Sequence, residues 1–375
     1  MYSAAAMIPP AVSDPPADAR SQPRADEASR PLRPVRVAVV GVGRRGLAHA
    51  AVLSMVPDCT LAGLVDPRRP ATRSARGQGF KAPAFPSFEK LLEAEKPDAV
   101  FVCTPSDRHL PVAKAALEAG AAVFVEKPLA HTLADAEALA TLATSTGRPV
   151  ACGYVLPYLP VFARVREVLV FEALGKLQQA RASMYQSLVF GARQGWRFDP
   201  ARSGGGVVAN VSSDLLHFIL WTLGIPVDVS ATWSQHYGDA EDELRATMRL
   251  AGGAEIGFDS SWSTPGYTQP AAVVEIEGEN GRLLVSDDAL ELDLLGARGG
   301  FREGHSRWRA AELPQRARFD LDGEGLYLED SAFLAWVTGG PQPPSHLGAA
   351  LSTQRVMDAL YQSARAGGTT VPVNA

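Results

Sequence analysis

The chain has 375 residues, enough for two domains, and its 46% hydrophobic and 21% charged residues are typical of a globular protein. The formal net charge of −5 argues against nucleic acid or an anionic membrane as a partner. No run of 18 apolar residues is present, so we expect no membrane span. Three cysteines without CxxC spacing indicate reduced thiols in a cytoplasmic protein, and we expect no metal site.

The first 34 residues differ in composition from the rest of the chain. They contain seven of the 28 prolines, and their four acidic and four basic residues cancel. A segment of this kind buries too little apolar surface to offset the entropy cost of ordering. We therefore predict a disordered, proline-rich tail over 1–34.

Residues 35–153 alternate apolar strands with amphipathic helices, which predicts a parallel sheet covered on both faces, as in a Rossmann domain. The predicted strands are 35–40, 60–65, 99–103, 121–125 and 149–153, and the predicted helices lie near 45–56, 87–95, 107–119 and 132–144. Gly120 and Thr132 supply a helix C-terminus and the next N-cap, respectively.

The loop after the first strand reads Gly41-Val42-Gly43-Arg44-Arg45-Gly46. Its context of strand, helix, second strand and Asp66 is that of the dinucleotide-binding fingerprint. Gly41 permits the tight turn, Gly43 lets the backbone approach a pyrophosphate, and Gly46 lets helix and strand pack closely. The loop, with Arg44 and Arg45, is thus a candidate cofactor site. Asp66 favours NAD because it can bind ribose hydroxyls and repel a 2′-phosphate, although NADP stays possible.

Beyond Tyr154 the pattern changes to period-2 runs with turn signals between them, which predicts a mostly antiparallel sheet. The predicted elements are helices over 160–171, 206–223, 326–338 and 347–366, and strands over 177–187, 227–237, 243–251, 254–262, 271–278 and 281–285. We assign 35–153 to a dinucleotide-binding domain and 154–375 to an α+β domain for substrate binding and oligomerisation.

Two strand ends in the first domain carry polar residues. Thr104-Pro105-Ser106-Asp107 follows one strand and Glu126-Lys127-Pro128 follows the next. Open α/β sheets bind ligands at this edge, and a lysine there can hold a substrate hydroxyl or shuttle a proton. Taken alone, residues 104–107 could simply cap the following helix, and Lys127 could be a solvated surface charge.

The order of these elements, with the phrase AALEAGAAVFVEKPLA and a later SGGG helix, resembles the glucose–fructose oxidoreductase/inositol dehydrogenase family, Gfo/Idh/MocA, over roughly 35–373. The resemblance implies a Rossmann domain, an open and mostly antiparallel sheet, a nicotinamide cofactor and a sugar, cyclitol or polyol substrate. It further implies that Lys127 is the catalytic lysine and that Thr104, Pro105, His109 and Glu126 line the cofactor.

The second-domain helix departs from the family pattern. Aligned on the glycines at 204–206, the usual Asp becomes Asn210 and the usual His becomes Asp214, while His217 replaces an acidic position. At i, i+4 and i+7 the three share one helix face. Asp214 beside Lys127 is expected to stay ionised and orient a hydroxyl, whereas His217 is either the base or a core histidine. Asn210 keeps the capacity to position substrate.

Three further residues are candidate substrate contacts. Arg197 has the geometry to grip an anionic group and Trp196 to stack on a sugar, on a loop before the glycines. Loop packing alone explains both equally well. Tyr154 lies at the predicted domain junction.

The main hypothesis is an NAD-dependent oxidoreductase that acts on a carbinol of a sugar or polyol. Two alternatives stay open: an NAD-retaining glycosidase or lyase that works by transient C3 oxidation, and a non-catalytic dinucleotide-binding protein. We also expect a homodimer or homotetramer, because Val273, Ile276 and Leu283 are placed on the uncovered face of the second-domain sheet.

Overall fold

The computed structural model describes residues 33–68, 71, 79–191, 193–313 and 324–374. Most of the tail predicted over 1–34 lies outside the described residues. Two sheets organise the fold: a six-stranded parallel sheet in the order β3-β2-β1-β4-β5-β6, and a nine-stranded sheet in the order β14-β13-β12-β11-β7-β10-β9-β8-β15. The fold is therefore a Rossmann domain joined to a large, mostly antiparallel sheet, as predicted.

The parallel sheet is built from β1 (Val35–Val40), β2 (Cys59–Val65), β3 (Ala84–Phe85), β4 (Ala99–Val102), β5 (Ala122–Glu126) and β6 (Val150–Gly153). The helices that accompany it are α1 (Arg44–Leu53), α2 (Phe88–Glu95), α3 (His109–Glu118) and α4 (Leu133–Thr146). The predicted start of α4 is confirmed, since the Thr132 side chain accepts a hydrogen bond from the Asp135 amide at 3.1 Å. Gly120 has the predicted positive φ, +86°.

The second sheet contains β7 (Leu177–Tyr185), β8 (Asp228–Ser234), β9 (Glu243–Arg249), β10 (Glu255–Ser261), β11 (Ala271–Gly278), β12 (Gly281–Ser286), β13 (Ala289–Leu294), β14 (Gly304–Arg309) and β15 (Val371–Pro372). All neighbours pair antiparallel except β7 and β10, which are parallel. Its helices are α5 (Pro160–Val170), α6 (Pro200–Ser203), α7 (Ser213–Leu223), α8 (Glu324–Val337) and α9 (Leu347–Arg365). The sequence pattern did not predict β3, β13, β14 or β15.

The last two helices connect the two halves of the fold. Phe333 and Leu334 of α8 belong to the apolar cluster between the parallel sheet and α1, although the sequence assigned 154–375 to the second domain. In α9, Ala350 packs in the Rossmann core, whereas Val356 and Leu360 pack under the second sheet. The C-terminal helices therefore hold the parallel sheet and the second sheet in a fixed position relative to each other.

The prediction that Val273, Ile276 and Leu283 form an apolar patch on the open face of the second sheet was wrong for two of the three residues. Ile276 and Leu283 are fully buried and pair across β11 and β12, facing the helices, whereas Val273 is 39% exposed on the other face. Side chains alternate along a strand, so residues 273 and 276 cannot share a face. The open face carries cross-strand ion pairs instead, among them Arg245 with Asp259 at 3.2 Å.

Within the part of the chain that the structure describes, one segment, Pro200–Leu223, is long and apolar enough to cross a membrane by length and composition. Most of this segment is buried inside the molecule, which is the behaviour of a core helix. It contains the predicted catalytic helix, and its interior position follows from packing between the second sheet and α9.

Candidate active site

A cleft of about 440 Å³ lies between the carboxyl ends of the parallel strands and the second sheet. This is the edge at which open α/β sheets bind ligands. Ten of the residues singled out from the sequence line it: Gly43, Arg44, Arg45, Thr104, Glu126, Lys127, Trp196, Arg197, Asn210 and Asp214. The structure therefore brings the glycine-rich loop, the strand-end lysine and the altered helix into one space.

The three glycines of the loop occupy three different environments. A Cβ on Gly41 would lie 2.5 Å from the Cys103 carbonyl oxygen, and φ there is +95°. A Cβ on Gly46 would lie 1.9 Å from the Gly41 carbonyl oxygen, so helix and loop contact each other directly. Gly43, the N-cap of α1, has nothing within 4 Å of the position of a Cβ. The space above Gly43 at the start of a helix suits a pyrophosphate.

Asp66 follows β2 and is buried against the same loop. Its carboxylate accepts hydrogen bonds from the Val42 amide at 3.0 Å and from the Arg68 amide at 2.9 Å. The Arg68 guanidinium pairs with it as well, at 2.9 Å. Although burial would raise the pKa of Asp66, its hydrogen bonds to Arg68 lower it, so the carboxylate is ionised. An ionised, loop-bound acid at this strand end is suited to ribose hydroxyls.

The loop after β4 contributes Thr104, whose hydroxyl is buried and has no hydrogen-bond partner among the described residues. His109 does not line the cleft. Its ring nitrogens lie 2.9 Å from the Pro128 carbonyl and 3.0 Å from that of Thr104, so it joins the two strand-end loops from behind. Pro105 opens a short 3₁₀ turn, and Ser106 reaches across to the Arg202 and Ser203 carbonyls.

Lys127 crosses the cleft from the end of β5 to the altered helix. Its ammonium lies 3.1 Å from Asp214 Oδ2 and donates to the carbonyls of Asn210 at 2.8 Å and Val211 at 3.3 Å. The lysine and aspartate side chains are 14% and 7% exposed, so water screens the pair only weakly. The lysine is therefore held by a carboxylate and two carbonyls, all on the other side of the cleft.

The altered helix begins with a π-helical turn, Val208–Ser212, which the sequence did not predict. A π-turn shifts the helical hydrogen bonds from i→i+4 to i→i+5 and often occurs at functional sites. The shift makes carbonyl groups available to an outside donor, here Lys127. Asn210 points its amide nitrogen back at the Gly205 and Gly206 carbonyls, at 3.0 and 2.9 Å.

Glu241 anchors the start of this helix and was missed by sequence analysis. Its buried carboxylate accepts hydrogen bonds from the Gly206 amide at 2.6 Å, the Val208 amide at 3.2 Å and the Tyr361 hydroxyl at 2.7 Å. An acid at a helix N-terminus stabilises the free amides there. Glu241 therefore ties the altered helix to both the second sheet and α9.

Asp214 and His217 occupy different surroundings. The second Asp214 oxygen accepts a hydrogen bond from the Val155 amide at 3.1 Å, which fixes the carboxylate facing Lys127. His217 is 1% exposed, bonds to the Thr353 hydroxyl at 3.0 Å and stacks on Tyr154 with ring centroids 4.4 Å apart. Burial lowers the pKa of His217 to about 3, so its ring is neutral. Neither His217 nor Tyr154 is among the cleft-lining residues.

The wall opposite Lys127 contains polar residues that sequence analysis did not single out. Gln186 follows β7, Gln269 precedes β11 and Asp287 lies in the turn after β12. Uncharged amides and one carboxylate at the end of a sheet can bind hydroxyl groups. Only their place at the ends of strands could have indicated them, and many strand ends carry such residues. Trp196 and Arg197 stand at the rim, with the guanidinium 5.7 Å from the indole centroid.

Comparison with known proteins agrees with this geometry. Residues 35–154 match the model of an oxidoreductase family with an NAD-binding Rossmann fold, and residues 162–284 match the GFO/IDH/MocA C-terminal domain. The chain belongs to the GFO/IDH/MocA family. It is an oxidoreductase whose first domain is the NAD-binding Rossmann domain of that family.

Two curated relatives and one solved structure are similar to this chain over two thirds or more of its length. The chain is 23% identical to the D-glucoside 3-dehydrogenase of Escherichia coli, over 89% of this chain and 96% of the relative. It is 25% identical to the myo-inositol 2-dehydrogenase of Thermotoga maritima, over 68% and 75%. The crystal structure of GenD2 from gentamicin A biosynthesis in complex with NAD is similar with a TM-score of 0.77 and 26% identity, covering 92% of this chain and 97% of that one.

A pair of glycine variants tests the loop. Gly46→Ala should lower the free energy of unfolding by about 1–3 kcal/mol, because the new methyl group meets the Gly41 carbonyl. Gly43→Ala should change it by less than about 0.5 kcal/mol. The same change should weaken NAD binding by about tenfold or more, because its methyl group fills the space above the loop. Denaturant unfolding and fluorescence titration with NADH measure the two effects, and equal effects of both variants on stability would contradict this assignment.

Proposed function

We propose that the protein transfers a hydride between NAD and a carbinol carbon of a sugar, cyclitol or related polyol, with Lys127 and Asp214 acting on the hydroxyl. The observation that carries the proposal is the 3.1 Å Lys127–Asp214 pair in the cleft that the glycine-rich loop enters. The names of the relatives, among them a glucoside and an inositol dehydrogenase, support the substrate class.

The residues around the loop fit NAD. The space above Gly43, the ionised Asp66 and the unpaired Thr104 hydroxyl are suited to the pyrophosphate, a ribose and a further polar group, respectively. Bound NAD supplies the hydride acceptor, or NADH the donor, for the carbinol carbon. We propose NAD rather than NADP because Asp66 is ionised, although the adjacent Arg68 reduces the repulsion that a 2′-phosphate would meet.

Lys127 and Asp214 have different roles at the substrate hydroxyl. The ammonium exchanges its longest contact, the 3.3 Å hydrogen bond to the Val211 carbonyl, for a hydrogen bond to the substrate oxygen, and it stabilises negative charge that develops there. The Asp214 carboxylate accepts the hydroxyl proton as the hydride leaves carbon, and a C=O bond forms. A carboxylate is a weak base, but a carbonyl that still carried the proton would be a far stronger acid than a carboxylic acid. Asp214 can therefore take the place that the family gives to histidine.

We assign His217 to structure rather than to proton transfer. Its ring is neutral, buried and one turn beyond Asp214, where it stacks on Tyr154 and bonds to Thr353. Tyr154 is consequently also a packing residue. Asn210 positions the glycine segment with its amide nitrogen, and Trp196 and Arg197 at the rim are the proposed contacts for the part of the substrate furthest from the reacting carbon.

The experiment is a panel of sugars, nucleotide sugars and inositols assayed for NADH and NADPH formation by absorbance. We expect at least one polyol to be oxidised, with NAD preferred over NADP. Cofactor retained through purification and cleavage of glycosides without added NAD would instead support the lyase alternative. Tight NADH binding without turnover on any substrate would support a non-catalytic protein.

Variants of the pair test the roles of its members. Lys127→Ala should abolish most turnover while NAD affinity changes by less than about tenfold, because the ammonium acts at the hydroxyl. Asp214→Asn keeps the side-chain shape and should lower kcat/KM by about two orders of magnitude. His217→Gln is the matched control on the same helix, and its kcat should stay within about threefold. Full activity of Asp214→Asn would remove this residue from the mechanism.

We also propose that the chain forms a homodimer or homotetramer through the open face of the nine-stranded sheet. Val273 and the half-buried Leu284 supply apolar area on that face, and the surrounding charges alternate in sign. Light scattering at micromolar concentration should give two or four chain masses. Val273→Arg should shift the mass towards one chain, whereas Leu295→Arg, on an exposed hairpin, should not. A monomer mass for the wild type would contradict the proposal.

A further inference from the structure

A buried charge network lies directly behind the cleft, at Glu126. Glu126 Oε1 lies 2.9 Å from His49 Nε2 and 3.1 Å from Arg45 Nε, and Oε2 accepts a hydrogen bond from the Lys127 amide at 3.2 Å. On its other side, His49 Nδ1 lies 2.8 Å from Asp330 Oδ1. The network therefore runs from the catalytic strand end, through α1, to α8 near the C-terminus.

His49 is fully buried and has a carboxylate at each ring nitrogen. A neutral imidazole has one N–H and could donate to only one of them, whereas an imidazolium donates to both. Although burial alone would lower the pKa of His49, Asp330 and Glu126 raise it to about 10. The centroids of the Phe101 and Phe124 rings lie 5.3 and 5.2 Å from that of the imidazole, so apolar rings surround it between the two carboxylates.

The charges around Glu126 keep it ionised and oriented. Burial would raise the pKa of Glu126, but Arg45, His49 and Lys127 lower it to about 2. The titratable groups that face this network come from α1, β2, the loop after β4, the end of β5 and α8: Arg45, Cys59, Cys103, Glu126, Lys127, Glu329 and Asp330. Burial and the neighbouring Asp330 raise the pKa of Glu329 well above its usual range, so that acid is neutral.

Three cations lie near the Glu126 carboxylate: Arg45, His49 and the ammonium of the adjacent residue, Lys127. His49 and Arg45 both hold Oε1 on the Rossmann side of the cleft. Without His49, Arg45 alone would hold Oε1, and the less firmly held carboxylate could turn towards the Lys127 ammonium and compete with Asp214 for it. Competition would remove the ammonium from the place where the substrate hydroxyl is proposed to bind.

We propose that His49 is a positioning residue, whose imidazolium, held by Asp330, keeps the Glu126 carboxylate away from the Lys127 ammonium and so reserves that ammonium for Asp214 and substrate. The inference rests on the proposed function of Lys127. It assigns a role in catalysis to a residue of α1 and to one of α8 that contact neither substrate nor the reacting atoms.

Kinetics of His49→Gln test the proposal. We expect kcat to fall by about tenfold to a hundredfold, the usual effect of displacing a catalytic group by about 1 Å, with KM for NAD changed less than about threefold. Phe333→Leu is the control, since this residue packs on Phe101 and Phe124 from α8 and carries no charge. Its kcat should stay within about twofold even where its thermal stability falls as far as that of His49→Gln.

A double-mutant cycle separates positioning from general destabilisation. Once Glu126→Gln has removed the competing charge, His49→Gln should lower kcat no further, so the two losses should not add. Asp330→Asn should reproduce the kcat loss in part. Additive losses, or a kcat for His49→Gln within about twofold of wild type, would overturn the proposal. If neither His49→Gln nor Asp330→Asn folds, the network is structural only and the proposal falls.

Nitrogen-15 spectra of histidine-labelled protein test the charge state without any substrate. The wild-type ring-nitrogen signals that disappear in His49→Gln belong to His49. At pH 8 these signals should show that both ring nitrogens are protonated, and a neutral ring would contradict the proposal. This readout stays informative if the sugar panel shows no turnover. The proposed function would then fail, while the protonation of His49 would still be measured.

Discussion

The Lys127 ammonium is the point on which the cleft depends. It leaves the end of a parallel strand and is bound by Asp214 and two carbonyls of the π-turn in the second domain. A buried ammonium is tolerated only where acceptors replace its water shell. The second domain therefore has to present its acceptors at one place, and the anchoring of that helix by Glu241 and of Asp214 by the Val155 amide serves this requirement.

A buried charge also needs partners of opposite sign on the Rossmann side of the cleft. Glu126 follows the apolar strand β5 and would be costly to ionise alone. Arg45 and His49 balance it, and Asp330 balances His49 in turn. Positive and negative charges thus alternate along the network, from Arg45 beside the glycine-rich loop through Glu126 and His49 to Asp330 in α8. The glycine-rich loop and the altered helix are thus held by separate charged groups, Glu126 with its cations on one side and Glu241 on the other.

Sequence was sufficient for the features that depend on local patterns. Apolar runs separated by amphipathic helices predict β1, β2, β4, β5 and β6, and the spacing of Gly41, Gly43 and Gly46 predicts their different surroundings, which the distances confirm. The family-based comparison placed Asp214 opposite Lys127, where the structure has it.

Other features depend on contacts that no local pattern records. A π-turn has no sequence signature, so the helix was expected to be regular from 206 to 223. His49 and Asp330 are 281 residues apart in the chain, and the sequence around either residue gives no sign of their contact. The open sheet face was misassigned because Ile276 was counted on the face of Val273, although strands place residues three apart on opposite faces.

The central claim is that a carboxylate, Asp214, has replaced histidine as the group that takes the hydroxyl proton. The pH dependence of kcat for the wild type tests it most directly. His217 is neutral down to a pKa of about 3, and His49 titrates only near about 10. We therefore predict a constant kcat between about pH 6 and 8, where an ordinary histidine base would titrate. A rise in kcat with a midpoint near about 6.5 that disappears in His217→Gln would contradict the account.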